Sequence, residues 1–99
     1  MKIIAIERES ATINPGGFQR YAEEEARSVW NLYQANSIRE VYFRADQTTA
    51  VLMLECTSTI EAEEILANLP YVREGLIEFD LIPLAPYPGF ARLFGKGEA

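Results

Sequence analysis

Hydrophobic and polar positions alternate most clearly over residues 38–55, IREVYFRADQTTAVLMLE. Successive strand residues face opposite sides of a sheet. Residues 39–45 therefore separate Val41, Phe43 and Ala45 from Glu40, Tyr42 and Arg44, and residues 49–55 separate Ala50, Leu52 and Leu54 from Val51, Met53 and Glu55. With Asp46, Gln47 and Thr48 as a polar turn between them, the two runs predict a hairpin with one wholly apolar face and one mixed face. Helices laid over the apolar face leave Tyr42, Arg44, Met53 and Glu55 together on the open side.

The same reading extends along the chain. Residues 2–7, KIIAIE, are short and rich in β-branched side chains, as in a buried first strand. Placing Ile4 and Ile6 beneath the helices would turn Glu7 towards Tyr42, Arg44 and Glu55. A connection over residues 8–17 follows, punctuated by Asn14, Pro15, Gly16 and Gly17. Phe18, Ala22, Ala26, Val29, Trp30 and Tyr33 then recur at three- and four-residue spacing and predict a helix over residues 18–35. Glu23, Glu24 and Glu25 suit the positive end of that helix and read as a solvated face. They point in three directions and cannot together hold one metal ion.

Ser58, Thr59, Ile60 and Glu61 have the capping-box pattern, which starts a second helix near Ser58. Ala62, Ile65, Leu66 and Leu69 form its apolar stripe, and Pro70 stops it. Residues 71–76 read as a connection around Gly75. Residues 77–84 predict a last strand with Glu78 and Asp80 on the open side and with Pro83 ending the pairing. The tail 85–94, APYPGFARLF, is too apolar to stand in water and is expected to pack on a neighbouring subunit, its prolines opposing helix; residues 95–99 are expected to be disordered.

The resulting order is strand, helix, strand, strand, helix, strand. That is an α+β chain of ferredoxin-like βαββαβ plan, with a four-stranded antiparallel sheet and both helices on one face. At 99 residues it forms one domain, residues 1–94. Chains this short bury a modest core, so the uncovered sheet face is expected to meet a second copy, giving a dimeric α/β barrel.

Composition excludes several functions. Nine basic residues against fifteen acidic give a net charge of −6, and the arginines are scattered among acids, so no nucleic-acid partner is expected. No apolar segment approaches the roughly 20 residues that span a bilayer, so no membrane partner is expected either. A single cysteine, Cys56, fits a small buried hydrophobe in a reducing, cytoplasmic setting. With no histidine and no cysteine pair, no metal or other cofactor is expected.

Residues 32–88 resemble the muconolactone isomerase group of the dimeric α/β-barrel superfamily. The segments carrying the likeness are LYQANSIREVYFR before the turn, ANLPYV after the second helix, and IEFDLIPLAPYPG. The resemblance implies a homodimer or higher homo-oligomer with a small-molecule pocket, and a cofactor-free proton transfer that moves the double bond of an unsaturated lactone. Those isomerases carry histidines, one of them beside the tail proline, whereas here Tyr87 precedes Pro88 and the chain has no histidine.

General base chemistry then falls to a carboxylate, Glu55 or Glu7, whose pKa would rise in an apolar barrel. Arg44 and Tyr42 are the candidates to stabilise an enolate oxygen. Met53, Trp30, Glu78 and Asp80 complete the candidate substrate-binding set. A structural reading stands beside this one, in which Arg44 simply pairs with Glu55 across the hairpin. Two functions follow: a small isomerase-like enzyme, or a non-catalytic dimeric binding or assembly module.

Overall fold

The computed structural model describes residues 1–10 and 15–95; Asn14 of the expected turn and the expected disorder beyond Gly95 lie outside the described residues. Strand β1 (Lys2–Glu9) is followed by helix α1 (Gly17–Gln34), strands β2 (Ile38–Phe43) and β3 (Ala50–Glu55), helix α2 (Thr59–Ala67), a single-turn helix α3 (Pro70–Arg73), strand β4 (Ile77–Pro83) and a second single turn, α4 (Ala91–Phe94). The strands form one antiparallel sheet in the order β2-β3-β1-β4. Both long helices cover one face of it. This is the ferredoxin-like plan that the element order implied.

Register decides which side chains the helices cover. Ile3 lies opposite Leu54 and Ala5 opposite Leu52. Val41 in turn lies opposite Leu52, and Phe43 opposite Ala50. Cross-strand partners share a face, so Ile3, Ala5 and Glu7 point towards the helices, while Ile4, Ile6 and Arg8 occupy the open face. The expectation for β1 was the reverse. Both faces of β1 are apolar for most of their length, so alternation within the strand carries no preference, and its partners impose the choice.

The core under the helices is made by Ile3, Ala5, Ile38, Leu52, Leu54 and Cys56 with Ala62, Leu66 and Leu69, all buried. Burial raises the Cys56 thiol pKa, in keeping with a packing role. Helix α2 starts as its sequence implies: the Ser58 hydroxyl accepts from the Glu61 amide at 3.1 Å. The Glu61 carboxylate reaches back to the Thr57 amide and hydroxyl at 3.1 and 2.9 Å.

Helix α1 ends in a Schellman motif. Asn36 takes a left-handed conformation (φ 67°), its amide donates to the Tyr33 carbonyl, and the Ser37 amide donates to that of Leu32. Gly75 (φ 75°) does the same for α3, with its own amide on Val72 and the Leu76 amide on Tyr71. Residues 71–76 are therefore not the plain connection expected. Pro70 occupies the first turn of α3, where its missing amide costs nothing.

Apolar surface beyond the open sheet face is also left uncovered. On β2, Val41 and Phe43 are 44% and 69% exposed even though they lie on the helix side, because β2 is the edge strand and α1 does not close over it. The tail is exposed as well, with Tyr87, Phe90, Leu93 and Phe94 at 65–83%. Its prolines end at Pro88, so a helical turn forms beyond Gly89 where the sequence was read as opposing one. The Tyr87 ring lies over Gly89 and meets Phe90 edge to face at 5.2 Å.

Candidate functional site

Where α1 stands away from β2, a cleft of about 710 Å³ opens between helix and sheet. Its helix wall carries Ala22, Ala26, Val29, Trp30 and Tyr33, and its floor carries Leu52, Phe79, Val41 and Phe43. The volume falls within the roughly 300–1,000 Å³ of small-molecule pockets. Trp30 and Tyr33, 5.9 Å apart and tilted, stand half exposed at its side.

Two acids enter this apolar cleft from facing walls. Glu7 comes from β1, and one of its oxygens accepts the Ala50 amide at 2.9 Å. Glu25 comes from α1, and one of its oxygens accepts the Tyr71 amide at 2.9 Å. Neither carboxylate has a further hydrogen-bond partner among the described residues. Burial raises the pKa of Glu7 despite the Ala50 amide, and nearby Glu9 adds to the rise. Burial likewise raises Glu25 against the Tyr71 amide, and the Glu7 charge pushes it further than the Arg73 charge pulls it back. Tyr71 completes the group. Its phenol donates to the Phe18 carbonyl at 2.9 Å, and burial with the charges of Glu25 and Glu7 raises its pKa.

The residues singled out from the sequence are divided between this cleft and other places. Glu7 and Trp30 line the cleft, whereas Tyr42 only borders it at the edge strand: it lies opposite Val51 on the open face, where its hydroxyl donates to Glu40 at 2.7 Å. Glu55 does not join them. It ends β3 and pairs with the N-terminal ammonium of Met1 at 2.7 Å, which lowers its pKa; the rise expected in an apolar barrel is not found because the group is exposed and paired. Arg44 lies just beyond β2 and grips Asp46 through two bonds of 2.9 and 2.7 Å. The expected Arg44–Glu55 pair is therefore absent, since the two residues sit at opposite ends of the hairpin. Met53 lies on the open face opposite Ile4 and Glu40. Glu78 and Asp80 share that face and are held by Arg8 at 2.6 and 2.9 Å.

Glu25 and Tyr71 were not read as site residues. A signal for Glu25 was present: residues 18, 22, 25, 29 and 32 follow one helical stripe, so Glu25 interrupts an apolar row. Reading residues 23–25 as a block of surface charge hid it. Tyr71 is placed by α3, whose existence the connection reading denied. Among the described residues no group of three or more His, Cys, Asp or Glu is arranged to hold a metal ion, and no helix is long and apolar enough to cross a membrane.

The architecture matches muconolactone isomerase with a TM-score of 0.73 over 89% of this chain and 92% of that one, at 13% identity. The chain has the fold of muconolactone isomerase. It also superposes on 5-chloro-2-hydroxyhydroquinone dehydrochlorinase from Burkholderia phenoliruptrix AC1100, solved in complex with 2,5-dihydroxybenzoquinone, with a TM-score of 0.60 and 18% identity over 90% and 98% of the two chains. No protein-family model and no curated protein sequence matches the chain. The likeness read from residues 32–88 is thus borne out in the arrangement of the elements, and at these identities it is a likeness of fold.

Proposed function

We propose that this chain is a small-molecule-binding homodimer that moves a proton on an unsaturated lactone or related carbonyl compound without a cofactor. The observation that carries the reading is the pair of carboxylates with raised pKa in one apolar cleft. A base for abstraction beside a carbonyl works best with its pKa near the operating pH, and burial moves Glu7 and Glu25 in that direction. In the proposed reaction one carboxylate removes a proton from the carbon next to the carbonyl, and the other, protonated, returns one at the far end of the shifting double bond. The Tyr71 phenol, turned from the Phe18 carbonyl, supplies a hydrogen bond to the oxygen on which charge develops. The reading is supported by the fold shared with an isomerase and a dehydrochlorinase.

In the dimer the open sheet faces meet, burying Ile4, Ile6, Val51, Met53 and Ile82, and the tail packs on the partner. The exposed tail and the uncovered edge of β2 favour a second reading, an assembly module whose cleft is filled by protein. Incubation of the protein with α-angelica lactone in D₂O, followed by proton NMR, separates the two. The enzyme reading expects isomerisation with deuterium incorporation, reduced roughly 10²–10⁴-fold in Glu7→Gln. Wild-type protein no faster than Glu7→Gln would leave the assembly module.

A further inference from the structure

We infer that the cleft accepts an uncharged, ring-sized ligand bearing hydroxyl groups and rejects one bearing a carboxylate, a selectivity that rests on the cleft being the ligand site proposed above. The argument begins with how the two acids are held. Glu7 is tied by one oxygen to the Ala50 amide on the sheet, and Glu25 by one oxygen to the Tyr71 amide beside the helix wall, each at 2.9 Å. Both are fixed in place, and each leaves a second oxygen without a protein donor among the described residues. A ligand that enters meets two anchored acceptors on facing walls, which suits hydroxyl donors. The surrounding surface is carbon from Val29, Trp30, Leu52 and Phe79, which suits a ring.

Countercharge for an anion is outnumbered among the described residues of the lining. Among the described residues the lining carries one cation, Arg39, which is exposed, against three acids, Glu7, Glu25 and Glu40. Arg73 lies outside the lining and is bound to Glu24 and Glu74 at 3.1 Å each. The Glu7 charge already raises the pKa of Glu25, and a ligand carboxylate between them would add to the same repulsion.

A matched pair of probes isolates the charge: methyl 2,5-dihydroxybenzoate and 2,5-dihydroxybenzoate, which differ by a neutral ester against a carboxylate. Trp30 is the single tryptophan and lines the cleft, so its indole N–H resonance reports occupancy without ambiguity. The ester is expected to shift that resonance saturably, with the acid binding roughly tenfold or more weakly. Glu25→Gln removes one charge at nearly constant volume and is expected to bring the two probes close to equal affinity. Glu7→Gln, whose amide oxygen still accepts from Ala50, is expected to do the same, and circular dichroism checks that both variants fold. An acid that binds as tightly as the ester, or a ratio unmoved in both variants, overturns the selectivity and leaves the cleft as a ligand site. An indole resonance that neither probe moves overturns the cleft reading with it.

Discussion

Glu7 and Glu25 hold their protons more tightly in the folded protein than in the unfolded chain, because burial disfavours their charges and the Glu7 charge disfavours that of Glu25. Such a group contributes stability that is fully present below its unfolded pKa and is lost as pH rises through its folded value. Glu7→Gln and Glu25→Gln should therefore raise the Tm at about pH 8, by an amount that shrinks as the pH is brought down towards about 4. Glu55 has the opposite sign. Its pKa is lowered by the Met1 ammonium, so its contribution is present above the unfolded pKa and is lost as pH falls through the folded one. Glu55→Gln should lower the Tm at neutral pH and leave it unchanged in acid. Thermal scans of the three variants across pH check both signs, and parallel curves for Glu55→Gln and Glu25→Gln would contradict the placement of one of them.

Helix ends are the elements with the sharpest local chemistry. Gly75 closes α3 at φ 75°, a conformation that costs an L-residue with a Cβ about 1–2 kcal/mol. Gly75→Ala should lower stability by about that amount in urea unfolding, whereas Asn36→Gly, at the matching position of α1, should be near neutral. Ser58→Ala removes the acceptor for the Glu61 amide and should cost about 1 kcal/mol. These features also mark what could be read in advance. The α2 start was legible because a capping box is a local device, complete within four residues. The α1 stripe and the hairpin were legible because their periods differ. The orientation of β1 was not, since Ile3, Ile4, Ala5 and Ile6 satisfy either face and only the register with β3 distinguishes them. Helix α3 was bracketed by Pro70 and Gly75, two strong signals at the right spacing for one turn, yet each alone reads as loop punctuation. Half of the site was hidden for the same reason: Glu7 stands out as a lone acid at the end of an apolar strand, whereas Glu25 and Tyr71 acquire meaning only when α1 and α3 are brought against each other.

At the scale of the whole molecule, the radius of gyration is 16.8 Å and the long dimension is 60 Å. A compact chain of this length would have a radius of about 13 Å. The excess accompanies an exposed tail and an open sheet face that carries Ile82 and the half-covered Ile4, Ile6, Val51 and Met53. If that face meets a second copy, sedimentation should give a dimer at micromolar concentration. Met53→Lys should then dissociate it, because a lysine opposite Ile4 would have to be buried unpaired. An unchanged sedimentation coefficient in that variant would exclude the sheet face as the contact. The tail adds a requirement of time. Residues 85–95 follow the last strand, and the body of the same chain leaves Tyr87, Phe90, Leu93 and Phe94 exposed. If they pack on a neighbouring subunit, seating them is a meeting between molecules, and the last phase of refolding should quicken as protein is added, while the earlier phases keep their rates at any dilution.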